Sequence, residues 1–239
     1  MNDKSFRERT DPIREWSWNE AHLGGCSRIG EMTAPIGAIE AVLFDYSGVM
    51  TTSLGLPDDD LGCDRDALAT EMLGALANQS EHPWHELERG EISLDAFLAY
   101  MESTVRGSSV LFAVDSPLNA MATLELLDHR IAVVRSVAAR GCRVALVTNN
   151  VAEWEPLWKP RLPADLFEAV IDSSMVGSRK PEPGIYQAAL GVLEVEATSA
   201  VFVDDFEWNV VGATALGMHG LHCTPDTDLG AELDALLLV

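Results

Sequence analysis

The chain has 239 residues, 47% of them hydrophobic, and carries a formal net charge of -22 from 38 acidic and 16 basic side chains. That length fits one large domain, or a core with a small insertion. The acidic balance repels nucleic-acid phosphates and anionic lipid, so neither is an expected partner; an anionic substrate needs a local positive centre, either a metal ion or a placed lysine.

Residues 1–37 are polar and rich in turn formers (Gly24, Gly25, Gly30, Pro35, Gly37), with Phe6, Trp16 and Trp18 as the bulky anchors, and read as an N-terminal extension. Residues 39–45 form the first strand, an apolar run that ends in Asp45, and Gly48 forces a turn just beyond it. A loop rich in Gly, Pro and Asp covers 51–65. From 66 to 127 the pattern is helical: Leu68, Met72, Leu73 and Leu76 share one face, and Ser93 precedes a helix with Asp95 in its first turn. This segment is expected to be an all-helical insertion of about four helices. From 128 helices and strands alternate: helix 128–140, strand 143–147, strand 169–172, helix 183–193, strand 200–203, helix 210–216, strand 220–223 and helix 229–238. Such alternation implies α/β architecture with a parallel sheet covered on both faces. The expected organisation is an extension over 1–37, a core built from 38–50 and 128–239, and a helical insertion over 51–127.

Cys26, Cys63, Cys142 and Cys223 are far apart and form no CxxC pair, which fits reduced thiols better than a disulfide frame or a zinc site. No run approaches the roughly 18 apolar residues of a membrane span, and the charged N-terminus lacks a signal-peptide segment. The expected compartment is the cytoplasm. Nothing in the pattern specifies an oligomeric state.

Several strand tips carry polar groups: Asp45, Thr148 followed by Asn149, and the pair Asp204–Asp205. Ser178-Arg179-Lys180-Pro181-Glu182-Pro183 lies between the last two. Open parallel sheets bind ligands at such tips. A carboxylate can attack phosphorus or carbon as a nucleophile. Adjacent carboxylates at a buried strand end need a cation or a proton to tolerate each other. A Mg²⁺ ion between Asp45 and Asp205, with Lys180 and Thr148 on the remaining phosphate oxygens, would serve phosphoryl transfer.

These segments resemble the four motifs of the haloacid dehalogenase-like hydrolase superfamily: Phe44-Asp45-Tyr46-Ser47-Gly48-Val49, Val147-Thr148-Asn149, Gly177 to Tyr186, and Val203-Asp204-Asp205 with Asn209. Glu88-Arg89-Gly90-Glu91-Ile92-Ser93 is similar to a cap segment of the branch that holds glucose-1-phosphate phosphatase and the N-terminal phosphatase domain of epoxide hydrolase. The resemblance spans about 39–225 and implies a Rossmann-like parallel core, with the 51–127 insertion as a cap. It implies roles for matching positions. Asp45 is the nucleophile and a Mg²⁺ ligand, and Ser47 gives its main-chain carbonyl to the metal. Thr148, Asn149 and Lys180 hold the phosphate of a small phosphorylated substrate. Asp205 binds Mg²⁺, and Asp204 beside it belongs to the metal site, either on the ion or directly behind its ligands.

Position 47 departs from the family pattern, which has an Asp there as general acid and base. That function is worth about 10²–10⁴ in rate, and a Ser hydroxyl cannot supply it near neutral pH. Three readings follow. One is a phosphatase whose leaving group needs little protonation, such as a sugar 1-phosphate or an acyl phosphate. The second is Mg²⁺-dependent ionisation of a prenyl diphosphate lined by Trp84, Trp154, Trp158 or Trp208, or dehalogenase-like attack on carbon. The third is a binding module without turnover. His85 is a remote candidate for the missing acid.

Overall fold

The computed structural model describes residues 38–53, 74, 81–104 and 124–237. The 1–37 extension and the rest of the expected insertion lie outside these residues. Five strands form: β1 (Ala41–Phe44), β2 (Arg143–Thr148), β3 (Ala169–Asp172), β4 (Ala200–Asp204) and β5 (His219–His222). They make one all-parallel sheet in the order β3-β2-β1-β4-β5. The described helices are α1 (Pro83–Glu88), α2 (Leu94–Thr104), α3 (Asp128–Ala139), α4 (Glu155–Trp158), α5 (Ser173–Val176), α6 (Pro183–Leu193), α7 (Glu207–Ala215) and α8 (Leu229–Leu237). None of them is long and apolar enough to cross a membrane.

Strand β1 is central and wholly buried, which is why it reads as an unbroken apolar run. Its side chains alternate between two cores. Val42 and Phe44 join Val134 and Val137 of α3 and Leu229 and Leu233 of α8. Ala41 and Leu43 join Ile185, Ala189 and Leu193 of α6 and Ala213 of α7. The strand and helix limits follow the sequence expectation closely, with three differences. Helix α7 starts at Glu207, three residues before the expected 210, because the Asp204 carboxylate accepts from the Phe206 N–H (2.8 Å) and from Asn209 (2.9 Å) and so fixes the first turn. Short helical turns over 152–161 and helix α5 were not expected; four-residue helices are too short to show a period.

Within the expected insertion, Ser93 Oγ accepts from the Ala96 N–H at the start of α2, as expected of a helix N-cap. Helix α1 is started by Pro83 in its first turn and by His82, whose Nδ1 accepts from the Trp84 N–H (3.1 Å). Trp84 meets Phe97 edge-on, with ring centroids 5.4 Å apart, and so joins the two helices. The chain enters the insertion and returns from it side by side: Thr51 bridges Leu126 antiparallel, the Thr52 N–H donates to Glu125 O (3.0 Å), and the Leu127 N–H donates to Met50 O (3.0 Å).

Between β1 and this bridge the chain makes a wide turn over 46–50, closed by the Thr51 N–H and hydroxyl on Tyr46 O (3.0 and 3.2 Å). Gly48 sits in it at φ +80°, where a Cβ would also collide with Asp205 Oδ2. Gly48→Ala should therefore cost about 1–3 kcal/mol of stability, read as a lower midpoint in urea at unchanged slope. An unchanged midpoint would show that the turn can re-form around a side chain.

Candidate active site

The strand register brings the polar tips to one edge. Phe44 lies opposite Leu146 on one side and Val203 on the other, so Asp45, Thr148 and Asp204 all stand at the C-terminal ends of adjacent strands. The Asp45 N–H donates to Val203 O (2.9 Å), which extends the ladder to the carboxylate and fixes its direction. This is where an open parallel sheet offers a ligand crevice.

Lys180 organises the site. Its ammonium donates to Asp45 Oδ1 (2.5 Å) and Asp204 Oδ2 (2.6 Å), and it stands 5.6 Å from the centre of the Phe202 ring. Its side chain is only 2% exposed. Burial alone would lower the lysine, but Asp204 and Asp45 outweigh it and keep the ammonium protonated. Burial pushes Asp45 well above the usual carboxylate range, against the pull of Lys180. Asp205 rises to about 6, through burial first and then the neighbouring Asp204 charge.

The two adjacent aspartates differ in what they hold. Asp204 is saturated: Oδ2 takes Lys180, and Oδ1 takes the Phe206 N–H and Asn209. Asp205 Oδ1 is buried and accepts no hydrogen bond. One oxygen each from Asp45, Asp204 and Asp205 lie within 4.8 Å of one another. Three carboxylates against one ammonium leave this cluster negative, and the unfilled Asp205 oxygen is the kind of hard donor that Mg²⁺ takes. The residues present fit a divalent cation.

The other expected residues surround this centre. Thr148 is buried, its hydroxyl donating to Asn149 O (3.3 Å). Asn149 uses its side-chain amide on the main chain of Lys180: Nδ2 donates to Lys180 O (3.0 Å), and Oδ1 accepts from the Lys180 N–H (2.7 Å). Ser47 lies in the 46–50 turn at φ -78° and ψ 129°. The tryptophans weighed as an aromatic lining are mostly packing. Trp84, Trp154 and Trp158 belong to the core, with Trp158 against Tyr46 (5.2 Å), while Trp208 stacks on Phe206 (4.5 Å). His85 is fully buried in α1, its ring 5.8 Å from that of His82.

Two motif residues without an expected role, Glu88 and Arg179, are buried beside the site. Arg179, next to Lys180, donates from Nε to Glu88 Oε2 of α1 (2.5 Å), and both are buried. Nothing in the sequence marks them as partners, since 91 positions separate them and their burial is known only from the fold.

A haloacid dehalogenase-like hydrolase model matches residues 39–217, more than half of the chain. The sesquiterpene phosphatase astK of Aspergillus oryzae is 28% identical over 202 residues, covering 83% of this chain and 96% of that protein. Bifunctional epoxide hydrolase 2 of Rattus norvegicus is 28% identical over 203 residues, covering 76% of this chain but only 36% of that protein, so the chain corresponds to one part of it. Among solved structures, a HAD family enzyme from Bacteroides thetaiotaomicron in complex with magnesium and inorganic phosphate superposes with a TM-score of 0.58 at 19% identity, covering 81% of this chain and 98% of that one, and so has the same fold. With the motif residues gathered at one sheet edge and the family match spanning the core, the chain belongs to the haloacid dehalogenase-like hydrolases.

Proposed function

We propose that the protein is a Mg²⁺-dependent phosphatase of a small phosphorylated metabolite, with Asp45 as nucleophile. The observation that carries this reading is the Lys180 ammonium bridging Asp45 and Asp204 while the Asp205 oxygen beside them stays unfilled. A site for oxyanion transfer needs this: a fixed nucleophile, fixed positive charge, and room for more. Mg²⁺, held by Asp45, Asp205 and the Ser47 carbonyl, would offset the repulsion between the carboxylate and a phosphate. Asp45 forms a bond to phosphorus as the bond to the leaving oxygen breaks. Water then attacks the phosphorus of the aspartyl-phosphate, which releases inorganic phosphate and restores the carboxylate. Lys180 and the Thr148 hydroxyl hold phosphoryl oxygens. The side chain of Asn149 holds Lys180, so its own contact with the phosphate runs through its main chain. Asp204 fixes Lys180 and contributes charge near the metal. The insertion over 51–127 acts as the cap that excludes water and selects the substrate.

Ser47 sets the substrate class. Without an acid at this position the leaving oxygen must be weakly basic. Sugar 1-phosphates and acyl phosphates meet this, and so does an organic diphosphate attacked at its terminal phosphorus, which releases a monophosphate ester. The similarity to a sesquiterpene phosphatase places terpenoid phosphates and diphosphates in the same test panel. The core packing of Trp84, Trp154 and Trp158 favours hydrolysis over ionisation, since a carbocation needs those rings exposed to it.

Three outcomes test this. Phosphate release from the panel should be abolished in Asp45→Asn; wild-type-like turnover in that variant would remove Asp45 from the mechanism. Ser47→Asp should raise turnover of simple alkyl phosphates about 10-fold or more, and no gain would mean that the cap limits the rate. The third concerns pH. The Asp205 carboxyl is raised to about 6 from 3.8, so it is charged at about pH 7.5 at a cost to the metal-free fold. As pH falls through 6 it takes up a proton, the metal-free protein gains stability, and Mg²⁺ must compete with that proton. The rise in Tm caused by Mg²⁺ should therefore be larger at about pH 7.5 than at about pH 5.5, and should shrink at both in Asp205→Asn. An equal rise at both pH values would take Asp205 out of the metal site.

A further inference from the structure

The loop that carries Lys180 is tied to the insertion by two ion pairs that cross. Glu88 of α1 reaches Arg179 (2.5 Å), and Arg89 reaches Glu182 (2.9 Å). Glu182 in turn accepts from the Arg179 N–H (3.0 Å) and the Ser178 hydroxyl (3.2 Å), while its own N–H donates to Arg179 O (2.7 Å). Lys180 is the residue enclosed by these contacts. Gly90, next in line, packs so closely on Ser174 O that a Cβ there would collide with it, and the Leu94 N–H donates to Glu153 of the core (2.9 Å). The segment 88–94 is thus fastened to the core at four successive places. The buried Glu88 carboxylate is also close enough to feel the Lys180 charge.

We propose that Glu88 is a positioning residue for the phosphate-binding ammonium: through Arg179 it fixes the main chain on one flank of Lys180, while Asn149 fixes the Lys180 peptide itself. This half of the insertion is then part of the catalytic frame and does not move away from it as a lid. The ammonium is reached through a long, rotamer-rich side chain, and a carboxylate pair alone sets where its tip goes but not where its root stands. Glu88 fixes the root. The inference rests on the phosphatase reading for the identity of the ligand, a phosphorus oxyanion, and on geometry for the rest.

The test compares the full chain with Glu88→Gln in two readouts. In crystal structures the wild-type ammonium stays within hydrogen-bond reach of both Asp45 and Asp204, and in Glu88→Gln it leaves one of them. In solution with Mg²⁺, Glu88→Gln should lose about 10- to 100-fold in kcat and about 10-fold in calorimetric affinity for inorganic phosphate, with KM raised to match, while Mg²⁺ affinity stays within about 2-fold. A purely structural role would lower Tm and leave these ratios alone. Glu88→Asp, which keeps the charge, should recover the greater part of both losses. If Glu88→Gln does not fold, Arg179→Lys takes its place; it keeps the buried charge, removes the planar fork, and should show the same losses. A folded variant with the ammonium unmoved and phosphate affinity within about 2-fold of wild type overturns the proposal. Wild-type protein that turns over nothing in the panel would instead end the phosphatase reading, and the crystal comparison would still decide the role of Glu88.

Discussion

A lysine ammonium with 2% of its side chain exposed cannot remain charged without close anions, and two carboxylates at 2.5 and 2.6 Å supply them. This arrangement constrains its whole surroundings. The ends of β1 and β4 must stand side by side so that Asp45 and Asp204 converge. The loop after β3 must cross above them to deliver Lys180, and Asn149 at the end of β2 must hold that loop by its main chain. The ends of β1, β2 and β4 and the chain that follows β3 thus converge on one lysine. Removing Lys180 would leave Asp45 and Asp204 buried without their shared counter-charge, which costs more than either pair contributes.

The same place is poor for stability and suited to chemistry. Two of its carboxylates are pushed above their ordinary range by burial, and one has an oxygen without a partner. Natural sequences break local rules at functional sites and compensate elsewhere. Here the compensation is the fully buried β1 and the two apolar layers on either side of it. Position 47 is a separate matter. In the proposed mechanism a Ser there would keep the main-chain carbonyl for the metal and lack a proton donor, so it would narrow the set of leaving groups without disturbing the geometry around Lys180.

Much of this was readable from the residues. Apolar runs ending in polar tips located β1, β2 and β4, and the shared C-terminal edge followed from parallel order. What was not readable falls into two kinds. Adjacent aspartates look alike in sequence, but strand geometry sends Asp204 inward to Lys180 and Asn209 and turns Asp205 toward Gly48. Glu88 and Arg179 stand 91 positions apart, so no period or local motif could join them. The helices after β2 and β3 escaped because four residues are too few to show a face, and α7 started early because a carboxylate in the preceding strand nucleates it.

The paired entry and return of the insertion has a consequence for how this protein can change over evolutionary time. Thr52 and Glu125 are already hydrogen-bonded to each other, so the sheet meets the inserted chain as a loop whose ends are closed. Closing a loop of twice the length costs only about 0.6 kcal/mol more. Segments between those two residues that do not touch the core can therefore lengthen, shorten or be exchanged at little expense to the fold. The segment 88–94, which does touch it, is expected to be held to its present length. Divergence in substrate choice is expected to accumulate on either side of that fixed stretch, while the stretch itself and the loop it grips change together.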